Sequence, residues 1–326
     1  MKYRALGNDL TVSAVSLGCM GMTHAYGAPS EEKPMLELIA QAVNLGCTMF
    51  DTAECYIGTN SDGSTAYNEE FVGKGLKPYR DKVVIATKFG VRHTPEGLDM
   101  DSRPETIRKA IDGSLKRLGV DCIDLYYQHR VDPEVPVEDV AGVMADLIRT
   151  GKITHWGISE ATEEIIRRAH AVCPLTAVQN RYSMMARDYE ALFPTLEELN
   201  IGFVAFSPLG NGFLSDRYTK DSKFAAGVDY RSHMPQFTEK GMEDNRPLLE
   251  CVRAVAAGKN TTPAQIALAW MLCKKPYIVP IPGTRKPQRL IENLGAADVA
   301  LTDSEEEEID RVLAERKPTE VYGVRK

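Results

Sequence analysis

The sequence predicts an α/β fold, a (β/α)8 barrel of the TIM type with an N-terminal β-hairpin and an extra C-terminal helix. Two observations predict it. Eight short β-rich runs recur down the chain, each followed by a stretch with helical spacing, and two of these stretches end in Gly as helix C-termini do. Strands that alternate with helices pair in parallel through right-handed crossovers, and eight such units close a barrel.

The opening "MKYRALGNDLTVS" falls outside the eight units and reads as a hairpin with an Asn-Asp turn, placed to cover the bottom of the barrel. The eight runs are "AVSLGCM", "CTMFDTA", "KVVIATKF", "CIDLYYQH", "KITHWGIS", "LTAVQN", "GFVAFSPL" and "YIVPIPG". Amphipathic segments such as "EEKPMLELIAQAVNLG", "RPETIRKAIDGSLKRLG" and "TPAQIALAWMLCKK" lie between them. Residues 211–246 are polar and too long for an ordinary strand-to-helix connection. Loops of that length are usually functional lids or disordered segments. After Leu301 a charged helix, "TDSEEEEIDRVLAERK", is expected with Asp303 as N-cap and acidic residues in its first turn, leading into a polar tail.

Composition narrows the function. A chain of 326 residues has room for one large α/β domain or two ordinary ones. A formal charge of -7, a pI near 5.5 and no Lys/Arg-rich run argue against nucleic acid or an anionic membrane as the main partner. The N-terminus has no signal-peptide core and no stretch is long enough to cross a bilayer, so a cytoplasmic protein is expected. Seven scattered cysteines without a C-x-x-C pair read as reduced packing residues, with Cys55 the one expected to be open to oxidation. The six histidines lack metal-ligand spacing, which disfavours a metal-dependent barrel hydrolase and leaves no metal expected.

In such a barrel, catalytic side chains come from the C-terminal ends of different strands. Asp51, Lys88 and His129 end the second, third and fourth runs, and Tyr56 is on the loop after the second. A period of two puts Ile123, Leu125, Tyr127 and His129 on one strand face, and Val84, Ala86 and Lys88 on another. Taken singly, a strand-end Lys usually reaches water and a lone His is usually structural. Four such groups at equivalent strand ends are hard to attribute to chance. A phenol is a poor acid at neutral pH, but a neighbouring ammonium favours its phenolate. Lys88 could supply that ammonium, Asp51 could balance its charge, and His129 could orient a substrate oxygen. The group suits protonation of an oxyanion as a hydride arrives from a cofactor.

With "DTAECY", "ATKFG" and "YYQHR" carrying these four residues, the sequence closely resembles the aldo-keto reductases across nearly its whole length. "GCMGMTHAYG" and "GISEAT" resemble the branch that contains perakine reductase. The resemblance implies one barrel domain, residues 1–326, and NADPH-dependent reduction of a small carbonyl substrate with Tyr56 as proton donor. It implies an NADPH site without a Rossmann fingerprint, and no G-x-G-x-x-G opens a helix after the first strand. By resemblance, Ser159 and Gln179 hold the nicotinamide amide and Phe206 stacks on its ring. Ser207, Leu209, Gly210 and Gly212 line the pyrophosphate, and Gly283 and Thr284 begin the segment that holds the adenosine end. Arg285 and Arg289, four apart at the start of the last barrel helix and so expected on one face, offer donor forks to a 2′-phosphate, while Glu292 and Asn293 reach the adenine. The chain departs from the family pattern at Glu160, where many members have Asn, and at Phe206, where many have Tyr. Many members place Gly directly after the Tyr and soon reach "NEE", whereas "YIGTNSDGSTAYNEE" here inserts a Ser-, Gly- and Asn-rich loop after Tyr56, at the expected substrate entrance. The alternative from another functional class is an NADP(H)-binding regulatory subunit that senses redox state with slow turnover. Oligomeric state and the physiological substrate are open at this level.

Overall fold

The structure, a computed structural model, describes residues 1–94, 97–315, 318, 319 and 321. Chain order begins with the strands β1 (Tyr3–Leu6), β2 (Leu10–Ser13), β3 (Leu17–Gly18), β4 (Met49–Asp51), β5 (Ile57–Thr59), β6 (Thr65–Tyr67) and β7 (Val84–Phe89). It continues with β8 (Val91–Thr94), β9 (Gly97–Met100), β10 (Ile123–Gln128), β11 (Ile153–Ser159), β12 (Ala177–Arg181), β13 (Gly202–Phe206) and β14 (Ile278–Pro280). The eight predicted runs supply β3, β4, β7 and β10 to β14, which pair in parallel in the order β14-β13-β12-β11-β10-β7-β4-β3. A parallel bridge between Gly18 and Gly283, with Ser16 N donating to Pro280 O at 3.0 Å, brings the first strand against the last and closes the barrel. A Cβ on Gly18 would lie 2.6 Å from Ile281 O, so the closure needs a residue without a side chain.

Inside the barrel, Met49, Ala86, Leu125, Tyr127, Ala177, Val204 and Val279 form one apolar cluster with Leu6, Leu10 and Val12 of the β1–β2 hairpin. That hairpin therefore plugs the bottom, as the alternation in "LTVS" requires. Ile123, expected on the same inward stripe, packs instead with the larger cluster that includes the helix residues Ile107, Ile111 and Met144. The layer between sheet and helices is thus supplied from both. Helices follow the predicted segments at Glu32–Asn44, Pro104–Leu118 and Pro263–Lys274. Gly119 at φ 66° ends the second of these, a conformation that an L side chain rarely adopts.

Two local expectations are corrected. The last helix, Asp303–Glu315, has Asp303 inside it, because Thr302 is the cap: Glu305 N donates to Thr302 Oγ1 at 3.3 Å while Thr302 N donates to Glu305 Oε2 at 2.7 Å. The reciprocal bonds satisfy two groups at once, which Asp303 alone would not. Residues 316 and 317 of that predicted helix and the tail at 322–326 lie outside the described residues. Cys55 is buried, 7% exposed, with burial pushing its thiol up to about 12; the exposed cysteine is Cys273.

Candidate active site

At the C-terminal rim the strand ends bring Asp51, Lys88, Tyr56 and His129 together. Asp51 closes β4 beside Gly18 and Ala86, and Lys88 lies opposite Tyr127 near the end of β7. Lys88 Nζ is 2.6 Å from Asp51 Oδ1, 2.7 Å from Thr52 O and 3.4 Å from Tyr56 Oη. The His129 ring stands edge-on to Tyr56 with centroids 5.7 Å apart. Lys88 and Asp51 are both buried, so neither charge is tolerable without the other. Gln179 Nε2 donates to Asp51 Oδ2 at 2.8 Å, which occupies the remaining carboxylate oxygen. Burial pushes the His129 imidazole well below its ordinary range, and the charges of Lys88 and Arg130 add to the effect. His129 is therefore neutral at physiological pH, with one donor and one acceptor nitrogen.

Backbone contacts fix the loop that carries Tyr56. Its carbonyl accepts from Asn68 N at 3.1 Å and from Thr23 Oγ1 at 3.2 Å. Asn68, buried, takes a bond from Thr52 Oγ1 at 2.6 Å and donates to Cys19 O and Thr23 Oγ1. Asn68, at the start of the helix Asn68–Leu76, thus ties two loops together around the phenol, the one after β3 and the one after β4. Reading along the sequence missed it, because its partners are far away in the chain.

The mouth above Tyr56 is built from rings. His24 stacks toward Tyr56 at 6.0 Å, with His93 at 4.9 Å and Tyr230 at 5.7 Å from the His24 ring. His24 Nδ1 is 2.9 Å from Ile57 O, and Nε2 is 3.1 Å from Tyr230 Oη. A carbonyl only accepts, so Nδ1 carries the proton and Nε2 accepts from the tyrosine. The insertion after Tyr56 forms the β5–β6 hairpin, seated where a Cβ on Gly58 would lie 2.1 Å from Thr23 O. Residues 211–246 dock over the same side: Tyr230 N donates to Ala25 O at 2.9 Å, and Arg231 pairs with Asp229 at 2.6 Å.

The wall expected to take a dinucleotide runs along the neighbouring strand ends. Ser159 ends β11, Gln179 lies in β12, and Phe206 ends β13. Arg130, not singled out from the sequence, joins them: its Nη1 donates to His129 O and, at 3.1 Å, to Ser159 Oγ. Its guanidinium lies 5.9 Å from the Phe206 ring and 3.1 Å from Glu160 Oε2. Glu160, at φ 53°, thus answers to Arg130, a pairing across two strand ends. After β13, Ser207, Gly210, Asn211 and Gly212 take φ of 51°, 54°, 59° and 96°. Left-handed residues in such a turn let successive N–H groups converge on an anion. Leu209 O accepts from Gly212 N at 3.0 Å within it.

The arginine expectation needs correcting. The last barrel helix is Pro287–Gly295, so Arg285 precedes it and shares no helix face with Arg289. Pro287 forces the preceding Lys286 into extended backbone, which bars the helix from starting earlier. Arg285 instead donates across the rim to Gly21 O and, at 3.0 Å, to Ala28 O. Its Nη2 is buried and finds no acceptor among the described residues, an unsatisfied donor that an anionic ligand would suit. Arg289 pairs with Glu292 at 2.5 Å, Asn293 is buried beside them, and Gly283 and Thr284 connect β14 to this helix. The donor set fits an anionic dinucleotide. Among the described residues no three His, Cys, Asp or Glu side chains come together to hold a metal ion.

Residues 14–314 match the aldo/keto reductase family. The chain belongs to that family. It is 41% identical over 302 residues to a probable aldo-keto reductase 1 of Glycine max, covering 91% of this chain and 84% of the relative. It is 39% identical over 314 residues to the NADP(+)-linked aldo-keto reductase yakc of Schizosaccharomyces pombe, covering 94% of this chain and 89% of the relative. Among solved structures, the glycerol dehydrogenase AKR11B4 of Gluconobacter oxydans superposes with a TM-score of 0.85 at 27% identity, covering 99% of this chain and 98% of the other. The holo form of AKR11C1 from Bacillus halodurans follows the same fold with a TM-score of 0.76 at 26% identity, covering 96% of each chain. As an aldo/keto reductase, the protein is an oxidoreductase of carbonyl compounds that works with a nicotinamide cofactor. Among the described residues no helix is long and apolar enough to cross a membrane.

Proposed function

We propose that this aldo/keto reductase reduces aldehydes or ketones to alcohols with NADPH, Tyr56 acting as proton donor. The observation that carries the reading is the chain from Asp51 through Lys88 to the Tyr56 hydroxyl, at 2.6 and 3.4 Å, beside a neutral His129. Asp51 holds the ammonium in place, and the ammonium favours the phenolate left when Tyr56 gives up its proton. His129 donates to the carbonyl oxygen and orients it between itself and the phenol. NADPH, when bound, supplies the hydride. Ser159 and Gln179 hold its amide, Phe206 stacks on its ring, and residues 207–212 line its pyrophosphate. Arg130 braces this wall, and Arg285, Arg289, Glu292 and Asn293 take the adenosine end. The ring-lined mouth of His24, His93 and Tyr230 accepts a small, flat carbonyl compound.

Steady-state oxidation of NADPH is the test, with a panel of aldehydes and ketones and with NADH in parallel. Many turnovers per site with at least one carbonyl compound are expected. A single turnover followed by arrest, across the whole panel, would replace the reductase by a cofactor-sensing subunit.

A further inference from the structure

Cys55 Sγ lies 3.4 Å from His129 Nδ1, and Cys55 packs in an apolar cluster with Ala53, Tyr56 and Val91. The cysteine precedes Tyr56 in the chain and the histidine follows the end of β10, so the fold brings them together. We infer that Cys55 is a positioning residue: its S–H donates to His129 Nδ1 and so fixes the imidazole as the tautomer that carries its proton on Nε2. This inference rests on the proposed reductase reading for its catalytic consequence; the tautomer stands independently of that reading.

A neutral imidazole has one N–H and one bare nitrogen, and which is which follows from the partner that one of them meets. Sulfur is a poor acceptor, whereas a bare imidazole nitrogen is a good one, so the pair is better matched with the thiol as donor. Burial keeps both partners in the required forms: the Cys55 thiol stays protonated, being pushed up to about 12, and His129 stays neutral. The His129 backbone is held on both sides, and its ring stands edge-on to Tyr56. His129 N donates to Phe89 O at 3.0 Å, and His129 O accepts from Arg130. With Nδ1 facing Cys55, only the tautomer with hydrogen on Nε2 can donate to a substrate oxygen. With the proton on Nδ1, a bare nitrogen would face the carbonyl oxygen and repel it.

The test compares Cys55→Ser, which keeps a donor, with Cys55→Val, which keeps the bulk without one. The tautomer is read directly from ¹⁵N resonances of histidine-labelled protein, with His129 identified by its loss in His129→Gln. The parent and Cys55→Ser are expected to show the Nε2–H tautomer, and Cys55→Val a mixture. In turnover, Cys55→Val should lose about three- to tenfold in kcat, the range of one neutral hydrogen bond, with NADPH affinity unchanged and Cys55→Ser close to the parent. A packing role reverses the order, since Val suits a buried apolar site better than Ser. The inference is overturned if parent His129 carries its proton on Nδ1, or if Cys55→Val keeps both the tautomer and kcat. If the parent reduces no carbonyl compound, the reductase reading fails while the ¹⁵N spectrum still decides the tautomer.

Discussion

Tyr56→Phe removes one hydroxyl and little volume, so it separates proton donation from packing. It should keep cofactor affinity, measured by fluorescence titration, and lose roughly 10²–10⁴-fold in kcat, the usual contribution of general acid catalysis. A variant within a few-fold of the parent would assign the proton to another group. Lys88→Met should be impaired at least as severely, because it leaves the buried Asp51 carboxylate without its cationic partner, Gln179 still bonded to it, and removes the charge beside Tyr56. The rim placement of Lys88 and His129 was legible in the sequence because a strand's period of two marks which polar residue tops an inward apolar stripe, and that of Asp51 because it ends the second β-rich run. Arg130, Glu160 and Asn68 were not. Each owes its place to partners on other strands or loops, which one-dimensional spacing does not encode. Arg285 misled for a local reason: the proline two residues on moves the helix start past it.

Among the elements, the loop from β4 to Tyr56 and the β5–β6 hairpin carry separable consequences. The hairpin's Ile57 carbonyl holds His24, which in turn meets Tyr230 of the long 211–246 segment, so one side of the mouth depends on it. Shortening residues 59–65 should therefore change KM or substrate range by several-fold while NADPH affinity stays nearly constant. A large loss of NADPH binding with unchanged selectivity would mean that the hairpin serves the cofactor. Within the catalytic loop, Glu54 Oε1 accepts from Gly90 N at 2.9 Å, and burial pushes its carboxyl from 4.5 up to about 7. Between those values the folded protein keeps a proton that the unfolded chain has lost, so stability falls as pH rises from about 4.5 through 7. At about 1.4 kcal/mol per unit the loss is at most on the order of 3 kcal/mol, reduced by partial solvent access. Glu54→Gln keeps the acceptor for Gly90 N and has no proton to lose. Urea unfolding should find it gaining on the parent between pH 5 and pH 8; a constant gap across that range would show that Glu54 ionises as an ordinary carboxyl.

On the scale of the whole molecule, the barrel is what makes distant residues neighbours, and its closure between β3 and β14 places the Gly21–Ala28 loop beside Arg285. The strand count was legible because every run is short, β-rich and followed by a helix signal. The packing of residues 211–246 was not, since it depends on contacts with the loop at Ala25 and Tyr26. This molecule carries a formal charge of -7, so its overall field opposes an anionic dinucleotide, and local cations must win at short range. Arg289 is the one that the structure puts in the first turn of Pro287–Gly295, where the helix N-terminus adds partial positive charge. Its pairing with Glu292 holds the guanidinium at that end while leaving other donors of its fork for a 2′-phosphate. NADPH should accordingly be preferred to NADH. A charge-assisted hydrogen bond contributes about 1.5–3 kcal/mol, and about 1.4 kcal/mol is a decade in affinity. Arg289→Ala should therefore weaken NADPH roughly ten- to a hundredfold and barely touch NADH, because only NADPH carries the extra phosphate. The loss should also shrink as salt is raised, since the surviving Glu292 carboxylate then repels the phosphate less. Fluorescence titration of both cofactors against parent and variant, at low and high ionic strength, measures all of this; equal losses for the two cofactors would assign Arg289 to the fold or to the pyrophosphate.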